Sequence, residues 1–549
     1  MVSRNVLRLS FAAFAALAYA NPYPRAATLS WSPCNGTEVP GQVPAECSTL
    51  EVPLDYTEPG ETHVLDLVRV PAPIQPSKGS IILNFGGPGG TGRDVVVQLA
   101  TVLQALSGRQ YDLLSFDPRG TSGSRLQFNC LDNDFDGLSL VLGLSPANES
   151  EGSLGRIWAQ GTITADTCLR TQNKTGSLIS TAFTARDIMQ IVDALQEDGM
   201  LRYWGFSYGT TLGATIAAMF PDRVERMVLD GVQNPHQYYR QQVEPEARTD
   251  ADAAFSAIFT GCVAAPNKCA LARDNRTAAE LEREVLDFFE AVKLRPLVVQ
   301  GAILDYTAIK SYFVGSLYDS SGWPALSGLV DTILTGQYES SSGVPTDPTP
   351  IRQTIILVQA LAGIRCSDSE VRTETFEDFA LAVQSMYESS NIMGDMLSVY
   401  ATCSQWKIEP KERYTGDFNV DTKNPVLFIG NTFDGLTPLV SAKNVSSTFK
   451  GSAVLEVNGY GHSSLVIPST CSLNKTSTYW LGGTLPEKDD LFCESDAPLY
   501  SGVTWEEIID KYYGANSTTR SKRTPFKRSI PVSPKIGYPI VPHPVNLPW

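Results

Sequence analysis

Gly205-Phe206-Ser207-Tyr208-Gly209 follows an apolar run, Leu201 to Trp204, and opens a helix-like run, Thr210 to Phe220. A chain that passes from strand to helix in so few residues must turn sharply, and small residues are needed on both sides of the turn. The serine at the apex is left with its hydroxyl exposed above a sheet. Gly-x-Ser-x-Gly is short enough to arise by composition, so its weight comes from what accompanies it.

Upstream, Ser80 to Phe85 reads as a buried strand running into Gly86-Gly87-Pro88-Gly89-Gly90, where backbone amides can approach a ligand without side-chain obstruction. Downstream, the apolar strand Pro425 to Gly430 delivers Asp434 in the turn-rich segment Asn431-Thr432-Phe433-Asp434-Gly435. A further strand, Ser452 to Val457, precedes Gly459-Tyr460-Gly461-His462. Ser, Asp and His in this chain order, each just after a strand, are the arrangement of the α/β-hydrolase triad. The expected fold class is therefore α/β, an α/β-hydrolase fold with a mostly parallel central sheet.

A serine hydroxyl is a poor nucleophile until a neutral imidazole can take its proton, which gives His462 the role of general base for Ser207. Asp434 is expected to hold the imidazole in one tautomer and stabilise its cation. Two backbone N–H groups should meet the oxyanion, one from Tyr208, the residue after the nucleophile, and one from the glycine loop. The other three histidines fit the role of base less well. His63 lies in an alternating strand-like run, His236 follows Asn234-Pro235, and His543 sits in a proline-rich tail. This chemistry requires no cofactor and no metal.

The segment from Gly205 to Val232 resembles the elbow, helix and following strand of the tripeptidyl aminopeptidases, serine exopeptidases related to the proline iminopeptidases. The Gly86–Gly90 loop, Asp117-Pro118-Arg119-Gly120, the Asp434 turn ending in Thr437-Pro438, and Gly461-His462 are similar to that family in the same order. By register with the family's loop, Gly87 is the second oxyanion donor. Phe85 stands where proline iminopeptidases place a histidine, which removes a polar anchor from the loop. Asp117 and Arg119 are expected to brace the active-site loops through a buried ion pair. The resemblance implies release of tripeptides from peptides with free N-termini, and a buried carboxylate to receive the α-ammonium group. Ile364-Arg365-Cys366-Ser367-Asp368 looks like a cysteine-plus-aspartate segment of the family, so Asp368, with Glu370 as second choice, is the candidate anchor. An anchor nearer the serine would favour single-residue release as in proline iminopeptidases, and none at all would favour a carboxylesterase or lactonase.

Far more residues separate the strand ending near Asp230 from the one starting near Pro425 than a single crossover needs. Helix-like runs at 278–292 and 351–364 fill that span, so a largely helical cap is expected over residues 235–415, inserted before Asp434. The hydrolase core then comprises residues 21–234 and 416–516.

Residues 1–20 read as a signal peptide: Arg4 and Arg8, a short apolar stretch, then Ala18-Tyr19-Ala20 as a small-x-small cleavage site. Secretion gives the ten cysteines a meaning as disulfides. Sequence does not fix their connectivity, and nearest-neighbour pairing is the working expectation: Cys34 with Cys47, Cys130 with Cys168, Cys262 with Cys269, Cys366 with Cys403, and Cys471 with Cys493. Glycosylation sequons at Asn35, Asn148, Asn173, Asn275, Asn444, Asn474 and Asn516 fit the same extracellular route. The formal net charge of −16 disfavours nucleic-acid and anionic-membrane partners. No later run is long enough to span a membrane, so no membrane association is expected once the signal is cleaved. Residues 517–549 carry six basic and no acidic side chains among many prolines, and are read as a disordered tail.

Overall fold

The computed structural model describes residues 28–515 apart from 35–42, 59, 132, 300–301 and 338–348. The signal segment 1–20, the basic tail 517–549 and the sequons at Asn35 and Asn516 lie outside the described residues.

Three strands open the chain, β1 (Ser32–Pro33), β2 (Glu46–Pro53) and β3 (Thr62–Val70), and pair antiparallel in succession. Buried and more exposed positions alternate along β2 and much of β3, as expected where one sheet face is less covered. The strands that follow are β4 (Ser80–Asn84), β5 (Asp112–Phe116), β6 (Leu201–Ser207), β7 (Val224–Val232), β10 (Leu427–Phe433), β11 (Ala453–Tyr460) and β12 (Phe492–Glu494). The sheet order is β1-β2-β3-β5-β4-β6-β7-β10-β11-β12, and every pairing from β5 to β12 is parallel. Parallel strands need crossovers, and helices on both faces bury them, so β4 and β6 are buried along their whole length.

The period of two sorts the side chains of β6. Leu201 and Tyr203 enter one core with Ile188 and Leu212, while Trp204 and Phe206 enter the other with Val96 and Trp480. Ser207 is thus delivered at the C-terminal end of a central strand, where this sheet architecture places its sites.

Between β7 and β10 the chain leaves the sheet. It forms helices Ala251–Ala264, Ala278–Leu294, Tyr306–Ser316, Trp323–Leu334, Thr349–Asp368, Phe376–Ser389 and Ser398–Ser404, with a small hairpin of β8 (Leu297–Val299) and β9 (Ala302–Leu304). Local chemistry sets several helix starts. Thr277 and Glu280 form a reciprocal capping box ahead of Ala278, and Asp305 and Thr375 accept backbone N–H bonds at theirs. Phe255, Phe289, Phe313 and Trp323 give this region a core of its own.

A second excursion, between β5 and β6, was not anticipated by the cap boundaries read from sequence. Helices Asp134–Leu142 and Ser153–Gly176 leave the sheet and pack on the cap; Gln405 Nε2 donates to Trp158 O at 2.9 Å. Cys130–Cys168 ties this excursion to itself. The other disulfides are Cys34–Cys47, Cys262–Cys269, Cys366–Cys403 and Cys471–Cys493. Among the described residues no helix is long and apolar enough to cross a membrane. Asn148, Asn173, Asn275, Asn444 and Asn474 are exposed.

Asp117 and Arg119 do not pair with each other, contrary to the sequence expectation. Asp117 Oδ1 accepts from Gly92 N at 2.7 Å and its Oδ2 from Arg93 Nε at 2.8 Å, which fixes the end of the glycine loop. Arg119 is fully buried against Asp187, 2.6 Å away, and donates to the carbonyls of Pro53 and Leu54. Each group is compensated by a partner from a different crossover, which residue spacing does not reveal.

Candidate active site

Ser207 sits at φ 57°, ψ −129°, a strained conformation that a strand-to-helix turn imposes on its apex. Space decides the flanking residues. A Cβ on Gly205 would lie 2.2 Å from Gly209 O, and one on Gly209 would lie 2.4 Å from Asn84 O. The helix Tyr208–Met219 starts directly behind the serine, so its first N–H groups have no intrahelical acceptor.

The glycine loop meets this turn. Asn84 Oδ1 accepts from Gly86 N at 3.0 Å, and a Cβ on Gly86, at φ 91°, would lie 2.8 Å from Ser207 Cβ and 3.1 Å from Tyr208 N. Gly87 follows at φ 115°. Phe85, where a polar anchor was expected to be missing, stacks on Phe206 with ring centroids 5.6 Å apart, so packing supports the loop.

Asp434 and His462 come together from the ends of β10 and β11. His462 Nδ1 lies 3.2 and 3.1 Å from the two Asp434 carboxylate oxygens and 3.0 Å from Thr437 Oγ1. Thr437 Oγ1 itself donates to Asp434 Oδ2 at 2.7 Å. With acceptors on that side, Nδ1 carries the proton and Nε2 presents its lone pair. Leu436 N, Thr437 N and Ser463 N also donate to Asp434. Burial would raise this carboxyl, but His462 and these donors hold it below the ordinary aspartate range. The cap reaches the base as well: Tyr318 O accepts from His462 N at 2.8 Å, and the Tyr318 ring stands edge-on to the imidazole.

Ser207 Oγ and His462 Nε2 are buried, and neither has a hydrogen-bond partner. The two atoms that would exchange the proton are thus among the buried polar atoms left without a partner. Catalytic contacts are commonly looser without substrate and tighten in its complex.

A cavity of about 160 Å³ adjoins this group. It is lined by Pro88 of the glycine loop, by Leu436 and Thr437 beside Asp434, and by Gln233, Glu244, Arg248, Arg365 and Tyr400. Leu140, Ile157 and Gln160 from the excursion between β5 and β6 also line it, so both excursions contribute to this cavity.

Asp368 is not part of that wall, which corrects its assignment as the amine anchor. It is fully buried and accepts from Thr181 N at 2.9 Å, Thr181 Oγ1 at 2.5 Å and Tyr238 Oη at 3.0 Å. Tyr208 Oη in turn meets Thr181 Oγ1, so Asp368 braces the elbow from behind. Glu370, the second choice, is exposed to solvent and also lies off the cavity wall. The cysteine beside Asp368 drew attention to the right helix; the facing threonine and tyrosines, which decide its role, come from distant segments. Thr437 was named only as the end of the Asp434 turn, with no role, and Tyr318 was missed because it lies in no chemically distinctive motif.

Residues 79–289 match the family described as alpha/beta hydrolase fold, and residues 390–493 the family described as TAP-like protein. The chain has the α/β-hydrolase fold and is similar to the tripeptidyl aminopeptidases. A tripeptidyl aminopeptidase of Streptomyces lividans is 26% identical over 472 residues, covering 81% of this chain and 83% of that protein. Serine protease Hip1 of Mycobacterium tuberculosis is 26% identical over 495 residues, 83% of this chain and 89% of the relative. Carboxylesterase B of the same species is 40% identical over a shorter stretch of 95 residues, 17% of this chain and 18% of that one.

The hydrolase also carries buried carboxyls that link stability to pH. Burial pushes Asp230, below the His462 loop, up to about 7 and Asp368 up to about 6, against the hydrogen bonds each accepts. Both would titrate near about 4 when unfolded. Between about pH 4 and 7 the folded state then binds more protons than the unfolded one, so stability falls as pH rises through that window. The melting temperature is expected to be higher at about pH 5 than at about pH 8, with a smaller drop in Asp230→Asn. A melting temperature that rises over this interval would contradict the assignment.

Proposed function

We propose that this hydrolase is a secreted serine exopeptidase that releases tripeptides from free N-termini. The observation that carries the reading is that Ser207 Oγ and His462 Nε2 have no hydrogen-bond partner and that a cavity lined from both excursions reaches Thr437, which contacts His462, because a covered cleft admits a chain end more readily than the middle of a protein. The names of relatives that span four-fifths of both chains support the choice of peptides and of tripeptide length. Five disulfides suit an oxidising compartment.

In this mechanism Ser207 Oγ attacks the scissile carbonyl as His462 Nε2 takes its proton. Asp434 stabilises the imidazolium, and the N–H groups of Tyr208 and Gly87 receive the oxyanion. His462 then protonates the leaving amine, and water, activated by the same nitrogen, hydrolyses the acyl-enzyme.

Ester hydrolysis is the second reading. Glu244, the carboxylate on the cavity wall among the described residues, is already engaged by Arg365, Gln233 and Tyr400, so no uncommitted anion awaits an ammonium group there. Hydrolysis of fluorogenic Ala-Ala-Phe amide, first with a free and then with an acetylated N-terminus, separates the readings when run beside a simple aryl ester. Cleavage of the free tripeptide as an intact unit, with about tenfold or greater loss on acetylation, is expected if the α-ammonium makes a charge-assisted contact. Rapid ester cleavage with no peptide hydrolysis would replace the exopeptidase reading with an esterase.

A further inference from the structure

We infer that the cavity beside the triad holds a carboxylate-binding subsite with Arg248 as its receptor, giving the hydrolase a preference for substrates that place an acidic group there. This rests on Ser207 being the nucleophile. Among the described residues, the charged side chains on the cavity wall are Glu244, Arg248 and Arg365.

Glu244 and Arg365 compensate each other. Each is 4% exposed, and Arg365 Nη2 lies 2.9 Å from Glu244 Oε2. Gln233 Nε2 donates to Glu244 Oε1 at 3.1 Å and Tyr400 Oη to Oε2 at 3.3 Å, so both carboxylate oxygens are occupied. The Arg365 guanidinium lies over the rings of Tyr238 and Tyr400, 4.6 and 5.0 Å from their centroids. The charges of this pair offset each other.

Arg248 is different. It ends the short helical turn Pro245–Arg248 and is half-buried; its Nε is buried without a hydrogen-bond partner. No ion pair or side-chain hydrogen bond among the described residues engages its guanidinium. A guanidinium keeps its charge and offers five N–H donors in a fixed fork. Placed beside a cavity whose one carboxylate is already saturated, it carries charge that the protein does not balance. A carboxylate, with two acceptor oxygens, matches that fork. Leu361 and Val399 on the same wall offer apolar surface to the hydrocarbon of such a substrate. In a peptide the carboxylate can belong to an acidic side chain or to a free C-terminus.

A matched pair of aryl esters reads the subsite through the triad alone: one acyl chain ends in a carboxylate, the other in the isosteric carboxamide. Wild type is expected to favour the carboxylate by about tenfold or more in kcat/KM, the size of one charge-assisted contact. Arg248→Gln should bring the ratio near unity, and Arg248→Lys should retain part of it. Two further comparisons locate the carboxylate, Glu against Gln at each acyl-side position and a free C-terminus against its amide. A ratio near unity in wild type for every pair, or one unchanged by Arg248→Gln, overturns the proposal. Ester discrimination without any peptide cleavage would leave the subsite standing and remove only the peptidase reading.

Discussion

Ser207→Ala is expected to lower kcat by about 10⁴- to 10⁶-fold on any substrate of this hydrolase. The elbow should survive the change. Ser207 Oγ accepts and donates no hydrogen bond in the folded protein, so its removal orphans no partner. The strained backbone is set by Gly205, Gly209 and Asn84 around it, not by the hydroxyl. The melting temperature should therefore stay within about 2 °C of wild type. Retained activity in a normally folded variant would remove Ser207 from the mechanism.

Asp434→Asn should cost about 10⁴-fold in kcat for a separate reason. Two backbone donors, Leu436 N and Thr437 N, hold Oδ1, so an asparagine keeps its carbonyl there and turns its amide toward His462. A donor facing Nδ1 makes that nitrogen an acceptor and moves the proton to Nε2, where it blocks the base. The same amide faces Ser463 N and meets a second donor, so some loss of stability should accompany the loss of rate. Steady-state kcat, measured beside thermal unfolding, checks both. A kcat loss below about tenfold would show that Asp434 does not set the tautomer.

The elbow and the pairing of Asp434 with His462 were legible because backbone geometry dictates their residues. Gly205 and Gly209 are small because atoms lie where a Cβ would go, and Asp434 and His462 follow strands that the sheet brings side by side. The cavity lining was half legible. Helical periodicity marked residues 235–415, but the helices Asp134–Leu142 and Ser153–Gly176 lie within a span that an ordinary crossover could have explained. Charge partners were the least legible. Arg119 could as well have met Asp117 as Asp187, and Asp368 could have faced the cavity instead of Thr181 and Tyr238. Such choices depend on which distant segments pack together, and no local pattern records them. Arg248 carried no signal in the sequence; its meaning comes from the partner it lacks.

The central claim is that Ser207 carries a peptide acyl group three residues long. The most direct measurement is mass spectrometry of the enzyme quenched during turnover of an unblocked octapeptide, with the adduct mapped to its residue. A tripeptidyl adduct on Ser207 is expected, with the N-terminal tripeptide and the remaining pentapeptide as first products. An adduct on another residue, or release of single residues from the start, would contradict it.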